Sequence, residues 1–134
     1  MKDLVLIGGG HAHMITLSNL ETFIKKGYQA TVIQPSDYHY YSGMGPGMLG
    51  GTYDPADIRF ATRKLVEDKG GRFIKAHASR IDPQRQVVQL AKSGEQVNYD
   101  VLSCNAGSYV PQTIVEANEK NVFTSKPIEE LYNA

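Results

Sequence analysis

Residues 4–14 read LVLIGGGHAHM, and this stretch decides the fold class. An apolar run of strand length ends at Gly8, as expected for a strand buried on both faces. Residues 11–26 follow with apolar side chains at helical spacing, and residues 28–33, YQATVI, form a second β-branched strand. A strand, a helix and a strand in this order predict two parallel strands joined by a right-handed crossover.

The downstream sequence predicts further elements of an α/β protein. Residues 36–55 are rich in Gly, Tyr and Pro and predict a long loop with one short helical turn after Pro46. The other predicted elements are a helix over 55–71 with an apolar stripe of Ile58, Ala61 and Leu65, a strand over 72–83, a hairpin turning at Ser93–Gly94, a strand reaching Cys104 and a helix from residue 128. We therefore predict an α/β, Rossmann-like three-layer domain with a parallel central sheet and an added β-hairpin or meander over 84–99.

The bulk composition excludes several classes of function. The chain has 134 residues, which suits one domain with a real core, and its formal net charge is zero. No nucleic-acid partner is expected, because such partners require a basic surface. The N-terminal apolar run is too short for a signal peptide, and no run is long enough to span a membrane. These features predict a cytoplasmic protein.

The glycine loop at residues 8–13, GGGHAH, has the outline of a site for a nucleotide phosphate. Gly8 permits the tight turn from strand to helix, and Gly10 lets an anion approach the backbone closely. The N–H groups of residues 10–13 form the first turn of the helix and point at that anion. The pattern favours a dinucleotide site, and a glycine-rich turn of some other α/β protein is the alternative.

Two positions depart from the usual dinucleotide pattern. His13 stands where a third glycine normally lets helix and strand pack closely. Either the helix lies further from the sheet, or the imidazole points away from the sheet. Gln34 ends the second strand, where an acidic residue usually holds the ribose hydroxyls, and its neutral amide is a weaker acceptor.

The histidines and the cysteine suggest structural roles. His11 and His13 are two positions apart at a helix start and point to different faces, so no metal site is predicted. His39 is expected to make a polar surface contact. Cys104 lies in an apolar strand, which predicts a buried and unreactive thiol. The loop after the second strand contains no cysteine, which disfavours thiol–disulfide chemistry.

Five segments together resemble the FAD-binding N-terminal part of the pyridine nucleotide-disulfide oxidoreductase superfamily. Within that superfamily, the chain is most similar to the branch of type-II NADH dehydrogenase-like and sulfide:quinone reductase-like proteins, and to the flavoprotein domain fused to some selenide, water dikinases. The segments are GGGHAH at 8–13, YYSGMGPGMLGGTY at 40–53, RFIKAHASRIDP at 72–83, YDVLSCNAGSYVP at 99–111 and KPIEEL at 126–131.

The resemblance implies a set of FAD-binding residues in this chain. They are Gly8, Gly10, His11 and Ala12 at the diphosphate, Gln34 and Pro35 at the adenosine ribose, Ala78 at the adenine, Ser42, Gly43 and Pro46 at the ribityl chain or flavin ring, and Asn105, Ala106, Gly107 and Ser108 in the turn that returns to the cofactor. Ala106 replaces a threonine of the family, so a hydroxyl contact is lost there. Gly45 replaces a larger apolar residue near the flavin.

The resemblance also implies an activity for the parent protein. Hydride would pass from NAD(P)H to FAD and on to an acceptor such as a quinone. The NAD(P)H domain and the second FAD segment are missing from residues 1–134, so we expect a fragment of a longer protein. The longer protein is expected to lie in the cytoplasm or at the inner surface of its membrane. The sequence leaves open whether it forms a homo-oligomer. The alternatives are a sulfide:quinone reductase-like enzyme and a non-catalytic nucleotide-binding module, and no residue is identified as catalytic.

Overall fold

The structure, a computed structural model, describes residues 1–109, 126 and 128–131. In chain order, the described strands are β1 (Lys2–Ile7), β2 (Tyr28–Gln34), β3 (His39–Tyr40), β4 (Arg59–Phe60), β5 (Arg72–Lys75), β6 (Ala78–Asp82), β7 (Val87–Leu90), β8 (Gln96–Asn98) and β9 (Val101–Cys104). The described α-helices are α1 (Met14–Ser18), α2 (Leu20–Lys25), α3 (Gly45–Leu49), α4 (Thr62–Asp68) and α5 (Ile128–Leu131), with 3₁₀ turns at His11–His13 and Ser42–Met44.

A parallel four-stranded sheet of order β5-β2-β1-β9 forms the centre of the first of two compact units. Strand β1 pairs with β2 from Lys2 opposite Tyr28 and with β9 from Leu4 opposite Val101. Since β1 has a partner on each side, its central residues are buried, as the continuous apolar run of the sequence predicts. The predicted βαβ unit is therefore confirmed.

Alternate residues of the central strands face two different cores. Leu4, Leu6 and Val32 pack with Leu17 and Leu20 of the helices. Val5 and Ile33 point to the opposite side and pack with residues of a second sheet. This antiparallel sheet has the order β6-β7-β8. The three layers confirm the predicted fold class, and strands β7 and β8 confirm the predicted hairpin.

The predicted helix over 11–26 is interrupted at Asn19. Its first turn, His11–His13, is a 3₁₀ turn, and α1 and α2 follow as separate short helices. The Ser18 hydroxyl donates to the Met14 carbonyl at 2.8 Å, and the Asn19 amide donates to the Ile15 carbonyl at 2.9 Å. Side chains that bond back to these carbonyls compete with the helical ladder, which accounts for the break.

The prediction of a helix from Pro55 is wrong, because α4 begins only at Thr62. Thr62 and Val66 form its buried face. Ile58, which the predicted stripe assigned to this helix, is 1% exposed in a separate core of the second unit. Two segments with different tertiary environments thus happened to share one helical spacing.

The prediction of one strand over 72–83 is also wrong. Strand β5 pairs in parallel with β2, whereas β6 pairs antiparallel with β7. The chain bends at Ala76, whose N–H donates to the Gln34 carbonyl at 3.1 Å. An apolar pattern cannot reveal that the two halves of a β-rich segment belong to different sheets.

The second unit comprises residues 40–60 and 107–134. Its core contains Met48 of α3 together with Ile58, Ile128 and Leu131. The helical turn predicted after Pro46 is confirmed, since α3 begins at Gly45 and carries the proline in its first turn. Among the described residues, no helix has the length and apolar character that crossing a membrane requires.

Candidate functional site

The glycine loop is tied to both neighbours of β1 at the carboxyl end of the sheet. The Gly8 N–H donates to the Ile33 carbonyl and the Asn105 N–H donates to the Ile7 carbonyl, both at 2.8 Å. Gly8 has a φ of +79°, and a Cβ at this position would lie 2.1 Å from the backbone oxygen of Asn105. Only glycine meets both demands, because the conformation is left-handed and the space is taken by backbone.

Gly9 is enclosed by two side chains of the first unit. Its N–H donates to Gln34 Oε1 at 2.8 Å, and this hydrogen bond is buried. A Cβ on Gly9 would lie 2.4 Å from Thr62 Cγ2 and 2.5 Å from Gln34 Oε1. The middle glycine is therefore fixed by protein contacts, which the usual dinucleotide pattern does not require at this position.

Gly10 lies between the side chains of Asn105 and His39. A Cβ on Gly10 would lie 2.8 Å from Asn105 Nδ2 and 3.5 Å from His39 Cε1. Asn105 Nδ2 is buried without a hydrogen-bond partner, and so is the Thr62 hydroxyl near Gly9. Two orphaned polar atoms thus border the glycine loop, and a group that brings acceptor atoms would satisfy the Asn105 donor.

The side chain of Gln34 is committed to the backbone around it. The residue is 6% exposed, and its Nε2 donates to the Ser36 carbonyl at 2.7 Å and the Tyr38 carbonyl at 3.0 Å. Together with the bond from Gly9, these contacts use both amide hydrogens and one oxygen lone pair. Gln34 stands at the predicted position, but its amide holds the turn that follows the strand.

The prediction that the His13 imidazole points away from the sheet is wrong, because the ring contacts Ser103 of β9. The alternative, a helix that lies further from the sheet, stays a prediction. The His13 imidazole is 5% exposed and points at the end of the sheet. Nδ1 lies 2.5 Å from the Gly8 carbonyl oxygen and Nε2 lies 2.9 Å from the Ser103 hydroxyl. A neutral ring that donates from Nδ1 and accepts at Nε2 satisfies both contacts. The ring therefore fills the space of the third glycine and ties the loop to β9.

A cluster of charged side chains lies next to the turn after β2. The Asp37 carboxylate contacts Lys75 Nζ at 2.6 Å and Arg63 Nη1 at 3.5 Å, and Arg63 Nε contacts Glu67 at 2.9 Å. The hydrogen bond from Lys75 is the main cause that lowers the pKa of Asp37 below its ordinary value. The negative charge of Asp37 is thus compensated by the positive charges of Lys75 and Arg63.

The remaining predicted residues fall in both units. His11 and Ala12 are exposed in the 3₁₀ turn after the glycines, and Pro35 is exposed after β2. Ala78 is half-buried at the start of β6, opposite Leu90. Ala106, the last residue of the first unit, is exposed. Cofactor contacts by these residues stay predictions.

Ser42, Gly43, Pro46, Gly107 and Ser108 belong to the second unit, and all of them are exposed. Their roles at the flavin also stay predictions. Gly45 is buried, and a Cβ there would make ordinary van der Waals contacts, at 3.4 Å from Leu131 and 3.7 Å from Ile128 of α5.

Cys104, His39 and Thr62 have environments that were not predicted from the sequence. Cys104 is exposed, so the predicted burial of its thiol is wrong: it ends an edge strand of the parallel sheet. His39 is half-buried against Gly10, and Thr62 was not identified at all. The described part of the chain contains no group of three or more metal-ligating side chains.

Comparison with known proteins gives a consistent set of relatives. No protein-family model matches the chain. The mitochondrial sulfide:quinone oxidoreductase of Dictyostelium discoideum is 27% identical over 107 residues, which are 80% of this chain and 23% of that protein. A type II NADH:quinone oxidoreductase of Staphylococcus saprophyticus is 24% identical over 107 residues, which are 79% of this chain and 26% of that protein.

Solved structures show the same relationship. The sulfide:quinone oxidoreductase of Aquifex aeolicus superimposes with a TM-score of 0.82 and 26% identity, over 99% of this chain and 30% of that one. A NAD-dependent persulfide reductase of A. fulgidus shares the fold, with a TM-score of 0.78 and 23% identity. The superposition covers 96% of this chain and 26% of that one. The chain thus spans about a quarter of the length of the curated relatives it matches.

Proposed function

We propose that this chain, a relative of sulfide:quinone and type II NADH:quinone oxidoreductases, is the FAD-binding part of an NAD(P)H oxidoreductase with a quinone-type acceptor. The observation that carries the proposal is the glycine loop: a Cβ on Gly8 would collide with backbone, Gly10 lies directly beside Asn105 Nδ2, and that buried amide donor lacks a partner. Glycines that bring the backbone close to an unsatisfied side-chain donor fit a diphosphate.

The residues that would hold FAD are those at the carboxyl end of the parallel sheet. Gly8, Gly10, His11 and Ala12 would contact the diphosphate mainly through the backbone, and Asn105 Nδ2 would gain an acceptor. Ligands of open α/β sheets generally bind at this edge. When bound, FAD supplies the redox chemistry by accepting hydride from NAD(P)H and reducing the acceptor. The chain itself would orient the cofactor and hydrogen-bond to it. No described residue is assigned as an acid, base or nucleophile.

We further propose that residues 1–134 are one part of a longer protein. The curated relatives are about four times longer than the matched segment, and an NAD(P)H domain and a second FAD segment would lie in the remaining length. A quinone acceptor, which is a membrane lipid, would bring the longer protein to the cytoplasmic surface of the membrane. The described residues of this chain contain no helix that could span it.

Sulfide:quinone reduction is the second candidate, because two of the relatives carry that name. The chain has a single cysteine, Cys104, whereas sulfide oxidation requires cysteines in the reacting protein. We therefore favour NAD(P)H as the electron donor; sulfide oxidation would need cysteines from the remaining length of the longer protein.

An anaerobic reduction experiment separates the candidates. The full-length protein encoded by the reading frame that contains this chain is mixed with NADH or with sulfide, and the flavin absorbance is followed. We expect bleaching by NADH and none by sulfide. Bleaching by sulfide alone would favour the second candidate. A colourless protein that takes up no FAD on reconstitution would leave only a non-redox module.

A further inference from the structure

The buried amide of Gln34 makes three hydrogen bonds to the backbone of two separate segments. One segment is the glycine loop, through Gly9, and the other is the turn at Ser36 and Tyr38. The amide orientation is fixed by these partners, since the reversed amide would place a donor against the Gly9 N–H. Gln34 thus connects the two loops that follow β1 and β2.

A carboxylate cannot replace this amide. Two of the three partners are carbonyl oxygens, which need a donor, and an ionised carboxylate has none. Glutamate at this position would place a negative charge against two carbonyl dipoles in a nearly dry site, at a large cost. The chemistry of the turn therefore selects an amide where related dinucleotide sites use an acid.

The packing around Gly9 transmits any movement of this amide to the loop. Gln34 Oε1 and the Thr62 methyl lie so close to Gly9 that no side chain fits there. A displaced amide would release the Gly9 N–H and open space next to it. The neighbouring Gly8 stays anchored, because its N–H donates to the Ile33 carbonyl at 2.8 Å, so the displacement would fall on the segment that borders the diphosphate.

We propose that Gln34 is a positioning residue, which holds the glycine loop and the 36–38 turn in place for a dinucleotide and does not contact the ribose with its side chain. This inference rests on the proposed FAD function. The inference and a ribose contact predict opposite effects on FAD affinity when a carboxylate replaces the amide of Gln34. A carboxylate on the ribose hydroxyls would strengthen binding, whereas a carboxylate in the amide network weakens it.

The test is Gln34→Glu in the full-length protein, with Gln29→Glu as the control because Gln29 is an exposed residue of the same strand. FAD affinity is measured by fluorescence quenching. At about pH 8 we expect Gln34→Glu to bind FAD on the order of ten-fold more weakly than the wild type, which corresponds to the loss of about one neutral hydrogen bond. Gln29→Glu should bind as the wild type does.

The pH dependence distinguishes positioning from general damage. A protonated carboxyl can donate one hydrogen bond to a carbonyl, so Gln34→Glu should recover much of its affinity at about pH 6 while the wild type changes little. Tighter FAD binding by Gln34→Glu would overturn the inference, and so would an equal affinity or the same loss at both pH values.

A second measurement does not depend on FAD or on the folding of a variant. In the wild-type protein, the Gly9 N–H and the Gln34 side-chain amide should exchange slowly with solvent by NMR, as buried hydrogen-bonded groups do. Rapid exchange of either group would contradict the inference. Slow exchange in a protein that never binds FAD would refute the proposed function and leave the connection between the loops established.

Discussion

Gly8 of the first unit and Gly51 of the second obey different constraints. Gly8 has a φ of +79°, and an added Cβ would lie 2.1 Å from the backbone oxygen of Asn105. Gly51 has a φ of +73°, and an added Cβ would meet no described atom within 4 Å. Packing and backbone conformation thus both require glycine at position 8, whereas conformation alone favours it at position 51. The local geometry is therefore more closely specified at Gly8 than at Gly51.

The largest effect is expected for Gly8→Ala, and Gly51→Ala is its matched comparison. Gly8→Ala introduces both a left-handed alanine and a collision with backbone that cannot move aside, so we expect a loss of about 4 kcal/mol in the free energy of unfolding. Gly51→Ala meets only the conformational cost, about 1 kcal/mol. Urea denaturation followed by circular dichroism measures both. Equal losses for the two variants would show that space at Gly8 is not the constraint.

The cores of the two units should be similarly sensitive to truncation. Leu6 of the first core and Ile58 of the second are each 1% exposed. We expect Leu6→Ala and Ile58→Ala to cost about 3 kcal/mol each, from lost burial and a residual cavity. The same denaturation experiment applies. A loss below about 0.5 kcal/mol for Ile58→Ala, typical of a surface position, would mean that residues 40–60 have no core of their own.

The contacts of His13 should have an intermediate effect. His13→Ala removes the bonds to the Gly8 carbonyl and the Ser103 hydroxyl and leaves a small cavity, so we expect a loss of about 2 kcal/mol. His77→Ala, at an exposed position of the same unit, is the control and should stay within about 0.5 kcal/mol. Most of the FAD affinity should survive in His13→Ala, because its ring faces the sheet. Loss of FAD from a folded His13→Ala protein would contradict that placement.

The smallest effect is expected at the exposed charge cluster. Lys75 lowers the pKa of Asp37, so the contribution of Asp37 to stability is present above the ordinary Asp pKa of about 4 and is lost as the pH falls through the lowered value. Asp37→Asn should therefore lower the melting temperature slightly near neutral pH and not at all in strong acid. About 1 M salt should also remove the difference, because exposed pairs are screened. A difference that persists in acid would contradict the role of this ion pair.

The sequence predicted those parts of the fold that depend on local pattern. Strand β1 contains a continuous apolar run, β2 is rich in β-branched residues, and the hairpin at Ser93–Gly94 has a clear turn signal. Predictions failed where one pattern served two environments, as at Ile58 and in the segment 72–83. A periodic pattern does not determine which core or which sheet a residue joins, because contacts between residues distant in the chain decide this.

The candidate site was predictable in outline and not in its hydrogen bonding. The glycine loop and its place after β1 followed from spacing, and the resemblance to quinone-reducing flavoproteins is supported by the relatives. His13 and Gln34 have hydrogen-bond partners on distant segments, at Ser103 for His13 and at Gly9 for Gln34. Cys104 was misjudged because its strand forms an edge of the sheet, where an apolar sequence does not guarantee burial.

The flavin content of the purified full-length protein tests the central claim most directly. The protein is denatured, and the released cofactor is identified and quantified by chromatography and absorbance. The account predicts FAD in an amount equimolar with the polypeptide, and little or none when Gly8 is replaced by alanine in protein that remains folded. Protein that contains no flavin as purified, and takes up none when incubated with FAD, would contradict it.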